Sequence, residues 1–191
     1  MYKLTLLAFS ALFISLFLFA QSAKAEEIHF NNNVFVLKNS FMNESHKGYE
    51  NEYFLKNENK NDWTKMVGIY YYPDVTAPLK FANAEDKKVE GKENDVLLKF
   101  IENKKQNKAA LSYLENGAVN GRNFFEYNVY KYEKHPDKGM MVLRYAERFF
   151  FISDAEITQI GNKVKENNDE FLKTIVTSPI PPIVEKDVNV D

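Results

Sequence analysis

The sequence predicts an α+β fold, in which an antiparallel β-sheet of about six to eight strands is covered by a long C-terminal helix and one shorter helix. Aromatic and apolar residues alternate with polar ones in several runs between residues 49 and 152, as in half-buried strands. Short polar turns separate these runs. After Ser153, apolar residues recur at helical spacing. Strands followed by a helix are typical of the α+β class.

The first 25 residues have the pattern of an export signal. Lys3 gives a positive start, residues 4–20 carry no charge, and Ala23-Lys24-Ala25 fits the small-x-small cleavage motif. We therefore expect cleavage after Ala25 and export to the periplasm or the extracellular space. The alternative is that the segment remains as an anchor, although it is shorter than the roughly 20 residues of a comfortable spanning helix.

Composition narrows the classes of partner. Without Lys3 and Lys24 the chain keeps 23 basic and 27 acidic residues, a net charge of −4, which argues against nucleic acid and anionic membrane surfaces. The chain has no cysteine, so disulfides, thiol catalysis and cysteine-bound metals are excluded. We expect residues 26–178 to form one domain with an aromatic core, and residues 179–191 to be an extended tail containing prolines.

The chain after the signal begins with strands. Two short strands are predicted at residues 28–30 and 34–37, around an asparagine turn. Residues 49–74 then read as strand, polar elbow and strand, with Glu50 and Glu52 on one face of the first strand.

The elbow contains the only tryptophan of the chain, Trp63. We expect Asn61 or Asp62 to cap a turn in front of it. We also expect Trp63 to be a buried anchor that holds the elbow against the sheet.

The middle of the chain predicts a helix and a hairpin. Residues 79–90 favour a short helix with a thin apolar stripe. Residues 96–102 and 108–115 form two apolar or alternating runs joined by a charged turn, as in a hairpin. Residues 116–123, which contain two glycines, are interpreted as a loop.

Two longer strands are predicted at residues 124–134 and 140–152, with a turn between them. Alternation places Phe125, Tyr127 and Val129 on one face of the first of these strands. On the second, Arg144 and Arg148 lie opposite a mostly aromatic face. One sheet face is therefore apolar and the other mixed, and a mixed face is either left in water or covered by helices.

The C-terminal helix is indicated by Ser153 and Glu156, which have the spacing of a capping box. Its apolar stripe is expected to face the core. The stripe comprises Ile157, Ile160, Val164, Phe171, Leu172 and Ile175. Ser178-Pro179 is expected to end the helix, and the final residues are expected to be loose.

Several segments resemble small secreted bacterial proteins of uncharacterised function. They are Asn51-Glu52-Tyr53 with Lys56, Asp62-Trp63-Thr64-Lys65-Met66, residues 145–149 and Pro181-Pro182. The resemblance implies a fold of the PsbP/Mog1 type, with a central antiparallel sheet flanked by helices. It further implies an adaptor that docks onto other proteins, and no reaction transfers with it.

The sequence carries no signature of a reaction or a cofactor. His29, His46 and His135 fall in different predicted elements, so they do not indicate convergent metal ligands. No G-x-S-x-G elbow and no glycine-rich phosphate loop is present. We therefore predict no cofactor, no metal site and no enzyme.

Four carboxylates are the candidates for acid and base chemistry: Glu50, Glu52, Glu126 and Glu147. Two of them in one open cleft would suit a small hydrolase. The favoured interpretation is that Arg144 and Arg148 neutralise carboxylates across the sheet.

The mixed sheet face is the candidate interaction surface, represented by Tyr70, Tyr72, Arg144 and Arg148. The run that includes Tyr71 suits a platform for a sugar or peptide, or simply a share of the core. The leading hypothesis is an exported non-catalytic binding or accessory module, with another envelope protein as its partner. The alternatives are the carboxylate hydrolase and a carrier that holds an apolar ligand between sheet and helix.

Overall fold

The computed structural model describes residues 26–93 and 95–190, so the export signal predicted for residues 1–25 lies outside it. Within these described residues, one antiparallel sheet contains nine strands. The strands are β1 (Glu27–Phe30), β2 (Asn33–Asn43), β3 (Gly48–Leu55), β4 (Lys65–Tyr72), β5 (Val96–Asn103), β6 (Lys108–Val119), β7 (Arg122–Lys134), β8 (Met140–Phe151) and β9 (Val188–Asn189). The helices are α1 (Pro78–Glu90) and α2 (Asp154–Thr177). The predicted α+β class, with a long C-terminal helix and a shorter one, is confirmed.

The sheet consists of two four-stranded meanders that join side by side. Its strand order is β1-β2-β3-β4-β8-β7-β6-β5, and α1 connects the two meanders. Strands β4 and β8 form the join, with Gly68 opposite Arg144 and Tyr70 opposite Val142. The join therefore brings residues of the first meander next to residues that follow them by 68 to 82 positions.

The two helices cover opposite faces of the sheet. The α2 face is the apolar one: Tyr53, Val67 and Tyr145 are buried in the cluster that includes Leu172 and Ile175 of α2. On the α1 face, a second buried cluster contains sheet residues such as Tyr72 and Val142 together with residues of α1. The mixed face predicted from alternation is therefore partly covered, and by the shorter helix.

The predicted central unit is present as β3, an elbow and β4. Trp63 is buried, with 5% of its surface exposed. The predicted cap is wrong, because the Asn59 side chain accepts hydrogen bonds from the backbone N–H of Asn61 and of Asp62, at 2.9 and 3.2 Å. An asparagine two or three positions earlier in the elbow is placed to reach these amides.

The predicted loop at residues 116–123 is also wrong. Strand β6 continues to Val119, and the turn uses only Asn120 and Gly121, both with positive φ. Gly117 is a paired strand residue opposite Phe124. A Cβ at Gly117 would lie 2.5 Å from Cζ of Phe124, so this glycine makes room for a ring and does not mark a turn.

Helix α2 begins as predicted at Ser153, whose Oγ accepts a hydrogen bond from the Glu156 N–H at 3.4 Å. The Glu156 carboxylate accepts from the Ile152 N–H at 2.7 Å, one residue before the cap. The buried residues of the helix are Val164, Asn168, Leu172 and Ile175. Its apolar stripe thus faces the sheet and is interrupted by Asn168, which accepts a hydrogen bond from Tyr127 at 2.9 Å.

The segment after α2 packs on the sheet. The Asn51 side chain accepts from the Val184 N–H at 2.6 Å and donates to the Val184 carbonyl at 3.0 Å. Beyond it, Val188 and Asn189 pair with β2 as β9. The expectation of loose final residues is therefore wrong here, because a buried amide in β3 and the free edge of β2 together satisfy the backbone of the segment.

Candidate functional site

Two rows of residues cross the α1 face and define the candidate site. Strand pairing aligns Glu52, Gly68, Arg144 and Tyr130 in one row, from β3 across β4 and β8 to β7. The next row aligns Glu50, Tyr70, Val142 and Tyr132 on the same strands. Neighbouring strands lie about 4.8 Å apart, so carboxylates, a guanidinium and phenols that are distant in sequence meet on one surface.

Between this surface and α1 lies a cavity of about 280 Å³, which we call the tyrosine cavity. Its aromatic lining is Tyr70, Tyr72, Phe81, Tyr113, Tyr130 and Tyr132. Its charged lining is Glu50, Glu52, Glu85 and Arg144. The remaining lining residues, Val89, Leu111 and Val142, are apolar. The volume is near the lower limit for small-molecule sites and suits a small ligand or one side chain.

The rings of the cavity tyrosines form two stacks, one on β4 and one on β7. The rings of Tyr70 and Tyr72 are 6.4 Å apart with 19° between their planes, and those of Tyr130 and Tyr132 are 5.8 Å apart with 9°. Tyr113 of β6 extends the β7 stack beside Tyr130. Each of these rings therefore packs against a neighbouring tyrosine ring.

These phenols are neutral near pH 7. Burial raises the pKa of Tyr70 to about 12. Burial, and then the nearby Glu50 carboxylate, raise the pKa of Tyr72. The pKa of Tyr130 and of Tyr132 is also raised by burial. Each hydroxyl therefore keeps its proton and is able both to donate and to accept a hydrogen bond.

Arg144 forms the charged floor of the cavity. Its Nε and Nη2 donate to the Asn128 side chain at 3.0 and 2.8 Å, and Nη2 also donates to Glu126 at 2.5 Å. Its Nη1 donates to the Tyr70 hydroxyl at 3.4 Å. Gly68 permits this last contact, since a Cβ there would lie within 3 Å of the Tyr70 ring and hydroxyl. Asn128 and Glu126 therefore fix the guanidinium. Its Nη1, which contacts the Tyr70 hydroxyl, is the nitrogen on the side of the cavity tyrosines.

Arg148 lies on the same sheet face but does not line the cavity. Its Nε donates to Glu126 at 2.9 Å, and its guanidinium lies 3.7 Å from the centre of the Trp63 ring. Glu126 forms ion pairs with both Arg144 and Arg148. Because it is only 2% exposed, it bridges the two arginines below the protein surface. Of the candidate interaction residues, Tyr70, Tyr72 and Arg144 come together at the cavity, and Arg148 supports the sheet beside it.

The four candidate carboxylates separate into three locations. Glu50 and Glu52 line the cavity, Glu126 is buried between the arginines, and Glu147 points to the α2 face with Lys65 at 3.8 Å. Arginines neutralise only Glu126. The condition stated for a hydrolase, two of these carboxylates in one open cleft, is met by Glu50 and Glu52.

The sequence analysis missed Phe81, Glu85 and Tyr113 as members of the site. Tyr130 and Tyr132 had a detectable signal, because alternation placed them on the face of Glu126. The missed residues belong to α1 and β6. Their place beside β4 residues in the cavity lining depends on the join of the two meanders, for which no local pattern exists.

Two further observations limit the chemistry of the described residues. Within residues 26–93 and 95–190, no three His, Asp or Glu side chains are grouped so that they could hold a metal ion. In the same part of the chain, neither helix combines the length and apolarity needed to cross a membrane.

Fold and site together define an α+β protein with one antiparallel sheet, a helix on each face and a polar aromatic cavity under the shorter helix. The chain belongs to an uncharacterised protein family, whose model matches residues 23–180. No curated protein and no solved structure matches it. The family match includes every lining residue of the tyrosine cavity.

Proposed function

We propose that this protein is an exported, non-catalytic binding module of the bacterial periplasm or cell envelope, which holds a small polar ligand or a side chain of an envelope partner in the tyrosine cavity. The cavity is the observation that carries the proposal. Convergent polar groups around a preformed hollow are the usual form of a binding site. The export signal at residues 1–25 supports the location, and the resemblance to PsbP/Mog1-type adaptors supports the class.

The lining favours a polar occupant over an apolar one. Four charged side chains and five phenols face the hollow, and an apolar ligand would remove them from water without replacing their hydrogen bonds. Arg144 and Tyr70 are held by their neighbours before any ligand arrives. Such preorganisation lowers the entropic cost of binding. The carrier of apolar ligands is therefore the weaker hypothesis.

The proposal is tested by filling the cavity. Val89 is a buried residue of α1 that lines it, whereas Val176 of α2 is exposed. We expect polar fractions of an envelope extract to raise the melting temperature of the wild-type protein and of Val176→Trp, but not that of Val89→Trp. Native mass spectrometry of the stabilised protein should show the added mass of a ligand.

Glu85→Arg provides a second variant if Val89→Trp does not fold, because Glu85 is half-buried in the cavity lining. The proposal is contradicted if no fraction stabilises the wild type. It is equally contradicted if the correctly folded cavity variants are stabilised as much as the wild type.

A small carboxylate hydrolase is the second candidate, because Glu50 and Glu52 share the cavity. They are two positions apart on one strand face, which sets their Cα atoms about 7 Å apart, so their side chains project in parallel into the same cavity. If the protein is a hydrolase, Glu50→Gln and Glu52→Gln should each lower turnover of chromogenic glycosides at least 100-fold. We expect instead that the wild-type protein shows no turnover of these substrates above that of the Glu50→Gln, Glu52→Gln double variant.

A further inference from the structure

Glu50 and Glu52 differ from Glu126, a carboxylate on the same sheet face, in having only neutral hydrogen-bond partners. Glu50 accepts hydrogen bonds from the Tyr72 hydroxyl at 2.7 Å and from the Asn43 side chain at 2.5 Å. Glu52 accepts from the Asn39 side chain at 2.7 Å. Among the described residues, neither carboxylate has a basic nitrogen within 4 Å, whereas Glu126 has two arginines.

The guanidinium of Arg144 does not compensate these two charges. Its Nε and Nη2 are committed to Asn128 and Glu126. Glu52 is aligned two strands away from Arg144, about 10 Å at the backbone. Between Glu52 and Arg144, the hydroxyl of Tyr70 lies over Gly68, in the space that a Cβ at this position would need. On the β3 side of the tyrosine cavity, two half-buried carboxylates therefore have no ion-pair partner among the described residues.

A cationic ligand would bring a positive charge to both carboxylates and form charge-assisted hydrogen bonds with them. Tyr72, whose hydroxyl donates to Glu50, and Phe81, whose ring lies 5.9 Å from that of Tyr72, line the same cavity and offer apolar surface to the alkyl part of such a ligand. Their neutral neighbour Tyr70 adds a hydroxyl that is able to accept a hydrogen bond.

We propose that the tyrosine cavity binds an organic ammonium group through Glu50 and Glu52. This inference rests on the proposed function, since it requires that the cavity is a binding site. At about 280 Å³ the cavity accommodates an alkylammonium chain, either of a free amine or of a lysine side chain presented by a partner. The two sources share one chemistry and are separated by the choice of probe.

Calorimetry with matched probes tests the inference on the chain without its signal. The probes are 1,5-diaminopentane, the uncharged 1,5-pentanediol of the same length, and N-acetyl-lysine methylamide. We expect the amines to bind and the diol not to bind. Because a charged hydrogen bond contributes about 1.5 to 3 kcal/mol, Glu50→Gln and Glu52→Gln should each weaken binding of the amine about 10-fold or more.

Glu166→Gln is the matched control, because Glu166 is an exposed carboxylate on α2 at the opposite face and should leave affinity unchanged. Tighter binding of the lysine derivative than of the diamine would identify a side chain of a partner as the ligand, and the reverse order a free amine. Circular dichroism verifies that each variant is folded.

The inference is overturned if the diol binds as tightly as the diamine, or if both glutamine variants retain wild-type affinity. It is also overturned if no amine binds. After any of these results, the proposed function still stands if a fraction of the envelope extract raises the melting temperature of the wild type and not that of Val89→Trp. When that stabilisation is also missing, the proposed function fails with the inference.

Discussion

Glu126→Ala is expected to lower the free energy of unfolding by about 3 to 5 kcal/mol, because it leaves two arginines without their shared carboxylate. Glu126 is 2% exposed, and it contacts Arg144 at 2.5 Å and Arg148 at 2.9 Å. Both guanidinium groups are largely buried on the same sheet face. Removal of the anion therefore exposes two like charges to each other in a site where water cannot fully solvate them.

Urea denaturation of the wild type, Glu126→Ala and Glu147→Gln measures this effect. Glu147 is a suitable control, since it lies on the neighbouring strand opposite Tyr127 but faces α2 and forms an ion pair with the partly exposed Lys65. It also accepts a hydrogen bond from the Tyr145 hydroxyl at 3.0 Å, which a glutamine oxygen is able to accept as well. Its change should cost about 1 kcal/mol or less. A double variant that also replaces Arg144 by Met should recover part of the lost stability. Equal midpoints for Glu126→Ala and the wild type would show that the arginines do not depend on this carboxylate.

Trp63→Ala is expected to lower the free energy of unfolding by about 3 to 5 kcal/mol. Trp63 packs with Phe54, Met66 and Ala146 in a small cluster at the end of the α1 face. Arg148 lies over its ring. The substitution opens a cavity in this cluster and also removes the aromatic surface on which the guanidinium rests. The elbow between β3 and β4 loses its anchor to the sheet.

Thermal unfolding compares Trp63→Ala with Trp63→Phe and with Phe41→Ala. Trp63→Phe keeps much of the buried ring and should recover more than half of the loss. Phe41 is 37% exposed, so its truncation should have a small effect. If Trp63→Ala and Phe41→Ala melt at the same temperature, the tryptophan does not contribute as a core residue.

The two variants are connected through Arg148, which contacts both Glu126 and Trp63. Their effects on stability should therefore not be additive. Only Glu126 also contacts Arg144. We expect its loss to disturb the floor of the tyrosine cavity, while Trp63→Phe leaves ligand binding unchanged.

The strands and helices were predictable to the extent that they depend on local patterns. Period-two alternation identified β3, β7 and β8, and the spacing of Ser153 and Glu156 identified the start of α2. Gly117 was misinterpreted, because a glycine that accommodates a ring across a strand pair looks in sequence like a glycine in a turn. Asn59 was missed as the cap because several residues of the elbow have side chains that cap equally well.

The sequence predicted which residues of the candidate site share a sheet face, but not which of them meet. Alternation indicated that Arg144 and Arg148 lie opposite the apolar side of their strand, and that Glu50 and Glu52 share a face. It did not indicate that β4 lies beside β8, since the strand order of a sheet depends on long-range pairing. Glu85 and Phe81 reach the site because α1 crosses from one meander to the other above it.

The sequence by itself determined the fold class, the aromatic core and the two-sided character of the sheet, because alternation and helical spacing are local consequences of backbone geometry. Only the tertiary structure decided which helix covers which face and which rows of side chains meet. Joining β4 to β8 places Gly68 between Glu52 and Arg144. The missing side chain at Gly68 then leaves space for Tyr70, and a hollow lined by phenols and carboxylates forms where two distant segments of the chain pair.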